Sequence, residues 1–177
     1  ETLELTSKVV AKKLNDIEIE LLVSDLPGKD DENHLISIAD VGFGLSQILP
    51  VIVALIVAEP GQLVYLEQPE IHLHPRAREA LADLLVNAAN RGVRLVVETH
   101  SEFLLLAVQS LVAEGKLSPE KVKLHWFTKK EDGTTKISSG DLDRVGAYGD
   151  WPEDFGKLSL SLENRYLNAA EAHLFNS

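Results

Sequence analysis

Three short stretches hold residue types suited to phosphate and magnesium chemistry. The stretch LVYLEQPEIHLHP, Leu63 to Pro75, closes an apolar run with Glu67, Gln68 and Glu70, then sets His72 and His74 before Pro75. Such a run reads as a buried parallel strand carrying acids to its C-terminal end. Open α/β sheets place their ligands at that end, and carboxylate oxygens suit a hard cation such as Mg²⁺. A second stretch, LVVETHS, ends in Glu98, Thr99 and His100. A third, DVGFGLSQ, offers Gly42, Gly44, Ser46 and Gln47 ahead of an apolar run. Glycines there let a backbone come close to a neighbour. A helix N-terminus supplies free N–H groups and the positive end of its dipole to an anion.

These stretches need elements to position them. Residues 1–16, with Val9, Val10 and Leu14 among mixed charges, read as the tail of a helix. Ile17 to Val23 alternates and reads as a half-exposed strand, followed by a polar loop over 24–33 and a short strand from Leu35 to Ile38. The two strands are expected to pair as an antiparallel hairpin. Ser46 is expected to cap a buried helix from Gln47 to Ala58, with Pro50 in its first turn. Pro75 opens a helix to Asn90, and Gly92 is its C-terminal signal. A second buried strand, Val93 to Val97, leads to Ser101, which caps a helix to about Glu114. This alternation predicts a parallel pair of strands flanked by helices. From Val122 the pattern changes to a β-hairpin turning at Asp132-Gly133, and Leu158 to Leu174 reads as a terminal helix.

The 177 residues suffice for a real core. A net charge of −11 argues against a general grip on nucleic acid, which needs a basic face. There is no Cys, so disulfides and thiolate metal sites are excluded. There is no Met either, which points to a fragment or processed product of a longer protein. No apolar run reaches the roughly 18 residues that would span a bilayer. Cytoplasmic location is the default expectation.

Taken together, the motifs resemble the C-terminal half of an ABC-type ATPase head, more narrowly the AAA-labelled heads related to overcoming-lysogenization-defect and SMC-like repair proteins. The resemblance covers about residues 35–155. DVGFGLSQ looks like the signature motif, LVYLEQPE like Walker B with the following catalytic position, IHLHP occupies the D-loop, and VVETHS looks like the switch-histidine strand. GDWPEDF is similar to an extension of unknown function that follows such heads. The resemblance implies a partial P-loop NTPase core of α/β class, with a C-terminal hairpin and helix. It implies ATPase-domain residues over 1–155, including the hairpin and extension over 120–155, and a tail over 156–177.

Carried over by position, Glu67 would hold Mg²⁺ through a water, in place of the family's usual Asp. Gln68 stands where relatives carry the Glu that polarises the attacking water. It can position a water but cannot take its proton, so turnover would be slow or would rely on Glu70. His100 would sense the γ-phosphate. Gly42, Gly44, Ser46 and Gln47 would contact the γ-phosphate of ATP held by the opposite subunit, and His72 and His74 would lie at the dimer seam. The implied partners are a second copy of the complete head and an effector such as a nuclease or toxin. Nucleic acid would be met by the longer protein and not by this acidic segment, and no membrane is implied.

No GxxxxGK[ST], the loop that cradles the β- and γ-phosphates, occurs in these residues. The chain therefore reads as half of an active site, inactive by itself. Two other readings stay open from the residues. One is a non-catalytic regulatory module that keeps the ATPase shape, which Gln68 and the missing loop both fit. The other is a metal-dependent hydrolase built on Glu67, Glu70, His72, His74 and His100.

Overall fold

The computed structural model describes residues 8–24, 34–149 and 165. Their contacts divide the chain into two compact units, Glu1–Leu117 and Ser118–Ser177. Of the loop expected over 24–33, Ser24 is instead the last residue of a strand and the rest lies outside the described residues, as do the DWPEDF segment and, apart from Arg165, the terminal helix expected over 158–174.

The first unit opens with an antiparallel sheet of β1 (Val9–Lys13), β2 (Ile19–Ser24) and β3 (Leu35–Ser37), in that order. The pairing of β2 with β3 is the expected hairpin, in register Leu22↔Ser37. The helix tail expected over 1–16 is instead strand β1 where it is described. Val9 and Val10 are β-branched and lie opposite Val23 and Leu22, so cross-strand packing overrides any helical reading.

Next comes α1 (Phe43–Val57), then β4 (Leu63–Glu67), α2 (Pro75–Asn90), β5 (Arg94–Glu98) and α3 (Glu102–Ala113). Strands β4 and β5 form a parallel pair from Leu63↔Arg94 to Glu67↔Glu98. The fold is mixed α/β, with parallel strands flanked by helices. Helix α2 spans its expected limits, since Pro at the first helical position costs no hydrogen bond. The chain then leaves through Gly92 at φ +93°, a left-handed value that glycine adopts without strain.

Helix α1 departs from expectation in two ways. It starts at Phe43 with Gly42 as its cap residue, so Ser46 is inside the helix rather than capping it. Pro50 then falls in the helix interior, not in the first turn, and cannot donate to the Ser46 carbonyl. The helix is also not buried all round. Ile48 and Leu55 are fully inside, while Val53, Ile56 and Val57 are exposed.

The same asymmetry marks the parallel sheet. Side chains of a strand alternate between faces. One face carries Val64, Leu66, Leu95 and Val97, all at least partly covered, and α1 and α2 pack on these strands. The opposite face carries Leu63, Tyr65 and Val96, exposed by 66%, 57% and 49%. The buried-strand expectation thus holds for one face only.

Arg91, just past α2, donates through Nη2 to the carbonyls of Leu55 and Ala58 at the end of α1. These are carbonyls that a helix terminus leaves without partners. Arg91→Ala should therefore lower the unfolding free energy by about 1–3 kcal/mol in urea denaturation, from two lost bonds to a charged donor.

The second unit contains a short 3₁₀ turn, Pro119–Lys121, and the expected hairpin of β6 (Lys123–Lys129) and β7 (Thr135–Asp141). Gly133 takes a left-handed φ of +81° in its turn, and Asp132 Oδ1 accepts the Thr134 N–H. No helix among the described residues is long and apolar enough to cross a membrane.

Candidate functional site

The site begins with the last rung of the parallel ladder. Glu67 and Glu98 are register partners, so both carboxylates leave the strand ends on the exposed face. Adjacent strands lie about 4.8 Å apart, which makes them side-by-side acids. Tyr65, on the same face, donates its hydroxyl to Glu98 Oε2 at 2.9 Å. That hydrogen bond is the largest reason the Tyr65 phenol is held above its ordinary pKa range.

Beyond the rung the chain turns sharply. The Gln68 N–H donates to the Glu98 carbonyl at 2.8 Å, extending the ladder by one bond. Gln68 then takes φ +43°, and among the described residues it alone is a non-glycine with positive φ. Such a conformation costs an L-residue about 1–2 kcal/mol. The strain is held by the bond to Glu98 and by a turn in which the Ile71 N–H donates to the Gln68 carbonyl at 3.2 Å. Pro69 suits the second position of that turn. A second turn follows, closed by the Leu73 N–H on the Glu70 carbonyl at 3.0 Å.

These turns bring Glu67, Gln68 and His72 together with Gly44 and Gln47 of α1 around a cleft of about 340 Å³. Gly44 is needed for the approach. A Cβ added there would sit 2.8 Å from the His72 carbonyl oxygen, closer than real contacts allow. The glycine expected for close approach thus finds its neighbour at Gly44, whereas nothing among the described residues lies within 4 Å of a Cβ placed on Gly42.

The other expected residues are placed differently. Ser46 lies inside α1 and does not line the cleft. His74 is the N-cap of α2, where its Nδ1 accepts the Arg76 N–H at 3.4 Å. His100 is exposed beyond β5 and also does not line the cleft. Glu70 is buried, only 4% exposed, and its Oε1 accepts the Thr99 hydroxyl. Among the described residues, no three of His, Cys, Asp and Glu come close enough to hold a metal ion, so the set required by the hydrolase reading is not assembled.

Two residues given no role from sequence are part of this arrangement, Glu98 and Thr99. The available signal was that LVYLE and RLVVE both end on Glu. Register, which a sequence does not display, is what makes the two acids partners.

Gly44→Ala should destabilise the chain by about 1–3 kcal/mol, the usual cost of forcing a methyl into a filled contact. The same substitution at Gly42 should cost less. Urea unfolding of the two variants side by side checks this.

Comparison with known proteins bears on the family and the fold. No curated protein matches the sequence. Residues 7–107 match the family described as "AAA domain, putative AbiEii toxin, Type IV TA system". A structure from work on ATP-driven dimerization and DNA-stimulated activation of SMC ATPases is similar with a TM-score of 0.52 and 16% identity, covering 77% of this chain and 76% of that one. An Smc head bound to the C-terminal winged-helix domain of ScpA gives 0.55 and 15%, covering 81% of this chain and 40% of that one. An Smc head with an extended coiled coil, bound to the C-terminal domain of ScpA derived from Pyrococcus furiosus, gives 0.51 and 15%, covering 79% and 32%. This chain thus spans well under half of the latter two. On the match over 7–107 the chain belongs to that AAA domain family, and its fold is that of an ABC-type SMC ATPase head.

Proposed function

We propose that this chain contributes one half of an ATP site, the half that anchors magnesium, positions water and senses the γ-phosphate. The observation that carries this reading is the pair Glu67 and Glu98 on the exposed sheet face, with Gln68 strained into place beside them. The donor set fits Mg²⁺, because Glu67 offers an exposed hard oxygen and the chain has no sulfur ligand at all. When bound, the ion would neutralise charge on the phosphate oxygens.

The chain's own residues then have distinct tasks. Glu67 holds the hydrated cation. Gln68 orients a water through its amide, with no capacity to accept its proton. Glu98 and Tyr65 fix the floor of the site. His100, just beyond β5, donates to the γ-phosphate. Gly42, Gly44, Ser46 and Gln47 lie at the N-terminal end of α1, where they meet the nucleotide of a second copy, with His72 and His74 at the seam between copies. The phosphate-cradling loop comes from a segment outside these 177 residues. The uncovered face of β4 and β5 supports this, since parallel strands are covered on both faces in complete domains. ATP-sandwiched dimers of the longer protein, an effector such as a nuclease or toxin, and work in DNA repair or phage defence all fit the family described above.

A non-catalytic module is the competing reading, favoured by Gln68. Kinetics of the longer protein separate the two. Glu67→Gln should lower Mg²⁺-dependent ATP turnover by about 10²-fold. Gln68→Glu should raise it by a similar factor, because a positioned base typically contributes 10²-fold or more. No turnover in either the parent or Gln68→Glu would favour the module.

A further inference from the structure

Glu70 stands out among the ionisable side chains of the site. It is 4% exposed, it does not line the cleft with Glu67 and Gln68, and its Oε2 has no hydrogen-bond partner among the described residues. Burying a carboxylate oxygen without a partner is costly, so such a group calls for a reason beyond packing. A general base must reach the water it deprotonates. Glu70 faces inward instead, and its other oxygen is engaged by Thr99.

The bonds that surround it form a continuous path. Thr99 donates its hydroxyl to Glu70 Oε1, and Thr99 Oγ1 accepts the Ser101 N–H at 2.9 Å. Ser101 Oγ accepts the Leu104 N–H at 3.3 Å and so caps α3. On the other side, the Glu70 carbonyl accepts the Leu73 N–H at 3.0 Å, and the Leu73 carbonyl accepts Arg78 Nε–H of α2 at 3.0 Å. His100 lies between Thr99 and Ser101, both tied down by this path. Gln68 and His72 flank Glu70 in the same pair of turns, and the His72 carbonyl abuts Gly44.

We propose that Glu70 is a positioning residue: through the Thr99 hydroxyl it fixes the His100 segment to the turns that carry Gln68 and His72. The bond spans the ends of β4 and β5, so the γ-phosphate sensor and the water-positioning residue move as one body. A carboxylate suits this task because it accepts a hydroxyl more strongly than an amide does. The proposal rests on the ATPase reading above.

The test has two arms. In the longer protein, Thr99→Val should lower kcat for ATP by about 10-fold or more, since misplacement of about 1 Å can cost 10²-fold, with KM nearly unchanged. Thr99→Ser should restore most of the rate. Glu70→Gln, which keeps an acceptor for Thr99, should lose less than Thr99→Val and keep the parent's pH profile. If Glu70→Gln abolishes turnover and flattens the acidic limb while Thr99→Val is silent, Glu70 is the base and the proposal fails. The second arm needs no turnover. Hydrogen exchange on the 177-residue chain should show the Ser101 and Gln68 amides exchanging at least about 10-fold faster in Glu70→Ala, which breaks the tie. Unchanged exchange at both amides overturns the proposal. If the parent hydrolyses no ATP yet the exchange quickens, the ATPase reading falls and the positioning role stands.

Discussion

The parallel register of β4 and β5 is the constraint on which the rest depends. A slip of one residue would send Glu67 or Glu98 to the covered face and expose Leu66 or Val97 in its place. The register is held at both ends. The Arg94 N–H donates to the Gln62 carbonyl at 2.8 Å before the ladder, and the Gln68 N–H donates to the Glu98 carbonyl after it. Gln68, tied by the second bond, takes its left-handed backbone at φ +43° directly after it. Ladder, acid pair and strained turn are therefore one unit, and strain at such a place is characteristic of functional sites.

Helices α1 and α2 serve that unit from one side. Ile48 and Leu55 of α1, Leu66 of β4, and Ala77, Leu81 and Leu85 of α2 are buried, which anchors the ladder to the helices. The opposite face is left apolar and open at Leu63, Tyr65 and Val96, and α1 adds Val53, Ile56 and Val57. Covering a valine or leucine fully contributes about 1.5–3 kcal/mol, so a second layer over this face would be strongly favoured. An ATP site placed at the rim of that face would then be bounded by protein on both sides.

Much of this was legible in the sequence. Helix α2 announced itself through Pro75, a periodic apolar face and Gly92, and each signal has a local cause. The same holds for Ser101 at the start of α3 and for Asp132-Gly133 in the hairpin. The start of α1 was not legible, because Ser46 is a good cap by type while the structure uses Gly42, so that Gly44 in the first turn can meet the His72 carbonyl. Strand β1 was hidden because Val9 and Val10 become strand residues only by pairing with β2, more than ten positions away. Glu67, Gln68 and His72, whose roles the family resemblance implied, line one cleft. The inward orientation of Glu70 was not readable, since EQPE spacing says nothing about which carboxylate turns toward Thr99.

If, as proposed, these residues form half of an ATP site completed by a phosphate loop from elsewhere, calorimetry with MgATP should show no measurable binding to the 177-residue chain, and micromolar binding to the longer protein that is lost in Glu67→Gln in the presence of magnesium. Micromolar MgATP binding to the 177-residue chain by itself would contradict it.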